Sequence, residues 1–422
     1  MKKLFLFCSV LFAAAMMFAA DLQYSLKTKD AMPVYKCGEK AEFIFEVKQD
    51  GELVNEGKYF LNITNGGLKV LDIVEADLAK ANPVKFTATL KEPGFILVLA
   101  NDANKKRIPD PVKRGTSQLS AGAGFEPEKI KMVYDCPADF MDFWKANRKA
   151  LADTPVQLTE DPRSNKDYKV WKVTIESLNG HTLHGWLSVP TGKGPFPAFV
   201  QVPPAGPGAV GPVAQYAKEA ITLVINVHRY ASADNWTEQA ERHKKFAGNY
   251  PRAGAGSRDT YFYRAVYTGV DRAINYVAAM PEWDKKHMVT SGSSQGGGSA
   301  IILAGLNKNI TALAGNVPAL CDHGGYKVGR KSGWPMLHGF KDADQWAPYF
   351  DAANFAKFIK VPALISCGFI DTTCHPASIY AAYNQIQSPK KMVHMPEMGH
   401  GSTREFGREQ NAFVLKHLGL AK

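Results

Sequence analysis

The chain has 422 residues, 45% of them hydrophobic and 22% charged, with 51 Lys and Arg against 40 Asp and Glu for a formal net charge of +11. That length supports two domains and a large core, and that composition excludes a disordered or low-complexity chain. The basic residues are scattered rather than interleaved with aromatics in one stripe, which argues against a nucleic-acid partner and leaves open an attraction to acidic polymers.

At the N-terminus, Lys2-Lys3 precedes an apolar run over 4–20 that closes on Ala19-Ala20. This pattern predicts a secretory signal peptide over 1–20, cleaved after Ala20, and hence a secreted or periplasmic protein. The rival is a membrane anchor, for which the run is at the short limit. No later stretch is long and apolar enough to span a membrane, so the mature chain is expected to have no membrane span. Cleavage leaves 49 basic side chains against 40 acidic ones, and the cysteines Cys37, Cys136, Cys321, Cys367 and Cys374. They are too few and too spread for a disulfide scaffold, and no CxxC occurs. Whether Cys367 and Cys374 form a bridge stays open.

Residues 21–112 read as a small all-β domain. Partly alternating segments at 41–47, 59–64, 68–73, 84–90 and 94–100 are separated by turn residues such as Asp50-Gly51 and Asn65-Gly66-Gly67. The spacing suggests a sandwich of immunoglobulin-like size without a catalytic constellation, a spacer or cap rather than a sugar-binding module. Residues 113–125, rich in Gly and Ser, are expected to be a linker.

From 126 to 422 the pattern changes. A helix opens around Pro137 and runs to about Leu151, and two strands at 170–176 and 182–189 meet at Asn179-Gly180, a hairpin signal. Apolar strands at 198–202, 221–227, 313–317, 361–367 and 392–395 then alternate with helical segments. This predicts an α/β fold, a doubly wound and mostly parallel sheet with ligands at the carboxyl ends of its strands.

Between the strand ending near Thr290 and an apolar helical stretch lies Gly292-Ser293-Ser294-Gln295-Gly296. A G-x-S-x-G sequence there is the nucleophile turn of an α/β-hydrolase, and only Ser294 has glycine at both −2 and +2. Such a fold places an acid and then a histidine later in the chain. Asp371 follows a strand end directly, ahead of its competitors Asp322 and Asp351. His400, between Gly399 and Gly401, follows the last strand, whereas His394 lies within that strand and reads as structural. A serine hydroxyl is a weak nucleophile near neutral pH, so His400 would take its proton while Asp371 orients the imidazole. The oxyanion needs two N–H donors. Gln295 offers one; Pro203 and Pro204 have none, so Ala205 is the best second candidate, with Gly206 behind it. This chemistry needs no metal or other cofactor, and Asp322-His323 and Cys374-His375 are isolated pairs without zinc spacing.

From about Glu126 onward the chain resembles the acetyl xylan esterase / cephalosporin-C deacetylase group, carbohydrate esterase family 7, within the α/β-hydrolase superfamily. The resemblance rests on Pro137-Ala138-Asp139-Phe140 with Phe143-Trp144, His184-Gly185-Trp186-Leu187, Asp259-Thr260-Tyr261-Phe262-Tyr263-Arg264 and Gly292-Ser293-Ser294-Gln295-Gly296-Gly297. Val317-Pro318, Leu320-Cys321-Asp322, Tyr349-Phe350-Asp351, Asp371 with Ala381-Ala382-Tyr383-Asn384, and Pro396-Glu397 with Gly399-His400 follow in family order. It implies Ser294, Asp371 and His400 as the triad, and removal of small acyl groups, mainly acetyl, from a carbohydrate such as acetylated xylan. The chain departs from the family at Pro203-Pro204-Ala205, where a His-Gly-Tyr-like oxyanion loop is usual, at His228-Arg229-Tyr230 in place of Arg-Gly-Gln, and at Gly401 in place of Glu. Its cytosolic members also lack the β-domain. The alternatives are a peptidase or another α/β-hydrolase acting on a different bond, and a non-catalytic glycan-binding protein.

Overall fold

The strands of the second half are apolar over their whole length, so they must be covered on both faces. In the computed structural model, which describes residues 22–112 and 114–421, they form one large sheet. The predicted signal peptide falls outside the described residues.

Nine strands precede it: β1 Gln23–Thr28, β2 Val34–Tyr35, β3 Ala41–Gln49, β4 Glu52–Leu53, β5 Lys58–Asn65, β6 Lys69–Asp77, β7 Val84–Ala88, β8 Gly94–Asn101 and β9 Ser120–Phe125. β1, β3, β4 and β7 make a four-stranded sheet, and β2-β9-β8-β5-β6 a five-stranded one. The alternation in β3 buries Ala41, Phe43, Phe45 and Val47, which meet Leu61, Ile63, Ile96 and Val98 in a common core.

One expectation is corrected here. Residues 113–125 are not a linker throughout, because 120–125 is β9, a wholly buried strand paired antiparallel to β8 and parallel to β2. Its Ser-Ala-Gly-Ala-Gly sequence is small because another backbone lies against it. A Cβ on Gly122 would sit 2.4 Å from the carbonyl oxygen of Phe369. Phe95 of β8 also joins the core of the second half, edge-on to Phe369 at 5.1 Å between ring centroids.

The second half begins with α1 Phe140–Ala150, β10 Val156–Glu160, β11 Tyr168–Glu176 and β12 Thr182–Pro190. Asn179 and Gly180, both at positive φ, turn β11 into β12. There follow β13 Phe196–Gln201, β14 Ile221–Asn226, α2 Trp236–Phe246, α3 Phe262–Ala279, β15 Trp283–Ser293, α4 Gln295–Leu306 and β16 Ala312–Asn316. Short α5 Ala343–Trp346 and α6 Ala352–Ala356 lead to β17 Ala363–Gly368, α7 Pro376–Tyr383, β18 Lys390–Met395 and α8 Arg404–His417. The nine strands lie in the order β10-β11-β12-β14-β13-β15-β16-β17-β18, antiparallel as far as β14 and parallel from there on. β15 is central, so its carboxyl end, at Ser293-Ser294, opens at the middle of the sheet's edge.

Candidate active site

Ser294 stands between β15 and α4 at φ 56° and ψ −119°, a conformation that L-residues avoid and that costs roughly 1–3 kcal/mol. The strain is held by close backbone packing. A Cβ on Gly292 would lie 2.4 Å from the carbonyl carbon of Gly296, and one on Gly296 would lie 2.1 Å from the carbonyl oxygen of Val202. Only glycine at both positions lets the strand, the turn and the end of β13 come this close. The Ser294 N–H donates to Asn316 O at 2.9 Å, tying the turn to the end of β16.

His400 brings the two distant groups together. Its Nδ1 lies 2.8 Å from Asp371 Oδ2 and its Nε2 lies 2.9 Å from Ser294 Oγ. An ionised carboxylate only accepts, so Nδ1 carries the proton and Nε2 is left to accept from the serine hydroxyl. Asp371 is fully buried, and its other oxygen accepts from the backbone N–H groups of Thr373 at 2.7 Å and Cys374 at 2.8 Å. The carboxylate is thus oriented on both oxygens, and the arrangement can draw a proton from Ser294 as its oxygen attacks.

The competing acids have other tasks. Asp351 caps α6 at Ala353 N–H and accepts from the N–H groups of Asp322 and His323; burial pushes it up to about 6 despite these bonds. Asp322 pairs with Arg330 at 2.7 Å. His394 hydrogen-bonds Tyr380 OH at 2.5 Å inside the fold. Cys367 and Cys374 are both free thiols, and burial pushes the Cys374 thiol well up in pKa.

Gln295 opens α4. The first N–H groups of a helix have no partner within it and carry the positive end of the helix dipole, so this end suits an oxyanion. The Gln295 side chain is gripped from three sides: its Oε1 accepts from Tyr250 OH at 2.8 Å and from Tyr263 OH at 2.7 Å, and its Nε2 donates to Pro203 O at 3.2 Å. Ala205 is exposed in the loop after β13, between Pro204 and Gly206. His228 Nε2 sits 2.7 Å from Gly206 O, and Tyr230 OH donates to Pro207 O at 3.0 Å. The segment 228–230 is therefore tied to the loop after β13 through Gly206 and Pro207, just past 203–205. Tyr250 and Asn316 carry no signal in the sequence, and Tyr263 enters there only within the segment 259–264, without a role. Asn316 Nδ2 donates to Ser293 Oγ at 2.9 Å and to Gly401 O at 3.2 Å, so it links the serine turn to the histidine loop.

Beside this loop lies a pocket of ≈ 370 Å³ lined by His228, Arg229, Tyr230, Phe246, Tyr250 and Phe262, among others. Among the described residues no cluster of His, Cys, Asp and Glu is placed to hold a metal ion, and no helix is long and apolar enough to cross a membrane.

A serine held in a strained turn at the centre of a mostly parallel sheet, with a histidine from the last strand's loop, defines an α/β-hydrolase. Residues 128–328 and 342–418 match the family model of acetyl xylan esterase (AXE1), and the chain belongs to that family. It is a carboxylic ester hydrolase. It is similar to the acetyl esterase Axe7A of Xylanibacter ruminicola, with 28% identity over 95% of this chain and 92% of that protein. Two solved structures share the fold. Acetyl xylan esterase 1 from Thermoanaerobacterium sp. aligns with a TM-score of 0.58 and 22% identity, over 69% of this chain and 97% of its own. The acetyl xylan esterase from Paenibacillus sp. R4 aligns with a TM-score of 0.56 and 24% identity, over 69% of this chain and 99% of its own.

Proposed function

We propose that this protein is a secreted serine esterase that removes acetyl groups from a plant-type polysaccharide or its oligosaccharides, acetylated xylan among them. Ser294 is the nucleophile, His400 the general base and then acid, and Asp371 the group that orients the imidazole. The observation that carries this reading is the unbroken hydrogen-bonded line from Asp371 through His400 to Ser294. Attack of Ser294 Oγ on the acetyl carbonyl forms a tetrahedral oxyanion, which the N–H groups of Gln295 and Ala205 would receive. Collapse expels the sugar hydroxyl, protonated by His400, and leaves an acetyl-enzyme. Water, deprotonated by His400, then releases acetate. The acetyl and carbohydrate parts of the proposal rest on the family and on the names of its relatives.

The N-terminal β-layer is proposed as a domain of its own, of sandwich type, that caps the hydrolase domain. Secretion rests on the sequence pattern of residues 1–20. Ser294→Ala tests the whole reading: kcat for acetate release from acetylated xylan should fall by ~10⁶, as when a triad acts as a unit. Unchanged hydrolysis would end the assignment. Amine release from peptides without acetate release from glycans would replace the ester by another bond.

A further inference from the structure

His400 is held from outside its own domain. The connection between β8 and β9 passes over the histidine loop, and two of its carbonyls accept from that loop's backbone: Gly399 N–H donates to Arg114 O at 2.6 Å and His400 N–H donates to Gly115 O at 2.7 Å. The contact is close enough to demand glycine on both sides. A Cβ on Gly115 would lie 2.8–2.9 Å from the N, C and O atoms of His400, and one on Gly399 would lie 2.4 Å from Gly115 O. Gly115 also sits at φ +73°, where an L side chain is strained.

The segment is itself anchored. The Arg114 N–H donates to Asp110 Oδ2 at 2.8 Å, its guanidinium approaches the same fully buried carboxylate at 3.4 Å, and Nη2 also donates to Ser120 O at 3.3 Å. Ser120 begins β9, whose Gly122 abuts Phe369, two residues before Asp371. Gly67, in the turn after β5, lies against His375: a Cβ there would be 2.3 Å from its Nε2. The β-layer thus touches the loops of both Asp371 and His400. Residues 114 and 115 lie outside the stretches that match the family model, which begin at 128.

We propose that the strap formed by Arg114 and Gly115 is a positioning element for the esterase reaction, setting the backbone of His400 so that its ring spans Asp371 and Ser294. The proposal rests on the reading of Ser294, His400 and Asp371 given above. Two backbone bonds add to a loop that is otherwise tied at Asn316, by Ile370 N–H donating to Met398 O at 3.3 Å and by its own turn, and a displacement near 1 Å at such a site costs about 10² in rate. The strap's hydrogen bonds reach Gly399, His400, Asp110 and Ser120 and neither Ser294 nor the loop after β13, so its loss lowers kcat and spares KM.

The test is Gly115→Ala in the full chain, assayed with nitrophenyl acetate and with acetylated xylan. The expected result is a ~10–100-fold fall in kcat, KM within about twofold, and a parallel slowing of Ser294 labelling by a fluorophosphonate. Val98→Ala, in the core of the same β-layer and away from the strap, is the control for lost stability and should leave kcat near the parent value. A kcat for Gly115→Ala within about twofold of the parent would overturn the proposal. So would an equal fall in Val98→Ala at a matched loss of Tm. If Gly115→Ala does not fold, Arg114→Ala and Arg114→Lys replace it: loss in the first with recovery in the second supports the strap, and equal activities sink it. Ser294→Ala keeps the two questions apart. An inactive Ser294→Ala with a fully active Gly115→Ala ends the strap alone, whereas an active Ser294→Ala ends the reading beneath it.

Discussion

The two flanks of Ser294 are built on opposite plans. On the side of Asp371 and His400, backbone meets backbone. The carbonyls of Arg114 and Gly115 receive the N–H groups of the histidine loop, and Gly122 lies against Phe369. On the side of β13 and β14, beyond the close approach of Gly296 to Val202 O, side chains do the holding. Tyr250 and Tyr263 grip Gln295, His228 and Tyr230 meet the carbonyls of Gly206 and Pro207, and an aromatic-lined pocket opens beside them. Backbone contacts of this kind tolerate no extra atom, which suits the proton-transfer roles proposed for His400 and Asp371. Side-chain contacts can be exchanged one at a time, and two of the three departures expected from the sequence, at 203–205 and 228–230, lie on this flank, the third being Gly401 beside His400.

Three substitutions or conditions probe this contrast, beyond those already described. The largest effect is expected on the closed flank. Asp371→Asn keeps the shape but favours the wrong imidazole tautomer, and kcat should fall by ~10⁴ with KM little changed; steady-state kinetics on acetylated xylan check it. A loss below tenfold would mean that Asp371 does not orient His400.

The next concerns acid. Burial holds His181, His228 and His323 down at about 4, and His375 at about 3, against an ordinary histidine value of 6.5. Unfolded, each binds a proton below about 6.5; folded, each does not until pH nears its depressed value. At these four groups the unfolded state therefore binds more protons across this window, offset in part by Asp351, which burial raises to about 6. The stability that these groups contribute is fully present above about pH 6.5 and is lost as pH falls towards 4. At about 1.4 kcal/mol per pKa unit, the Tm measured calorimetrically should drop steeply between those limits. His375→Gln should make the drop shallower. His375 faces the β-layer, so an unaltered slope would show that its burial is not kept in solution.

The smallest effect belongs to the open flank. Tyr250→Phe removes one of two phenolic donors to Gln295 and leaves Tyr263 in place. A net loss of about 0.5–1.5 kcal/mol corresponds to a ~2–10-fold fall in kcat. A fall as deep as that of Asp371→Asn would erase the distinction between the flanks.

Much of the centre was legible in the sequence because its signals are local. Gly292 and Gly296 report close approach directly, and the strand ends before Asp371 and His400 follow from apolar runs with turn residues after them. The order of serine, acid and histidine then follows from the fold class. What was not legible depends on contacts across long separations. Ser120 to Phe125 looked like a flexible linker because it consists of small residues. They are small because β9 packs against the chain at Phe369, some 250 positions away, and nothing within 120–125 announces that. Tyr250 and Tyr263 likewise look like ordinary aromatic residues until Gln295 Oε1 is found between them.

Gly122 also limits how the two halves of the molecule can change. A module that is free to be shuffled between genes meets its neighbour through side chains, which can adjust to a new partner. Here the seam runs through a bare Cα lying against a carbonyl group, a fit with no slack to give. The β-layer and the hydrolase half are in that sense fitted to each other at this seam: a larger residue at 122 would require the chain at Phe369 to move away.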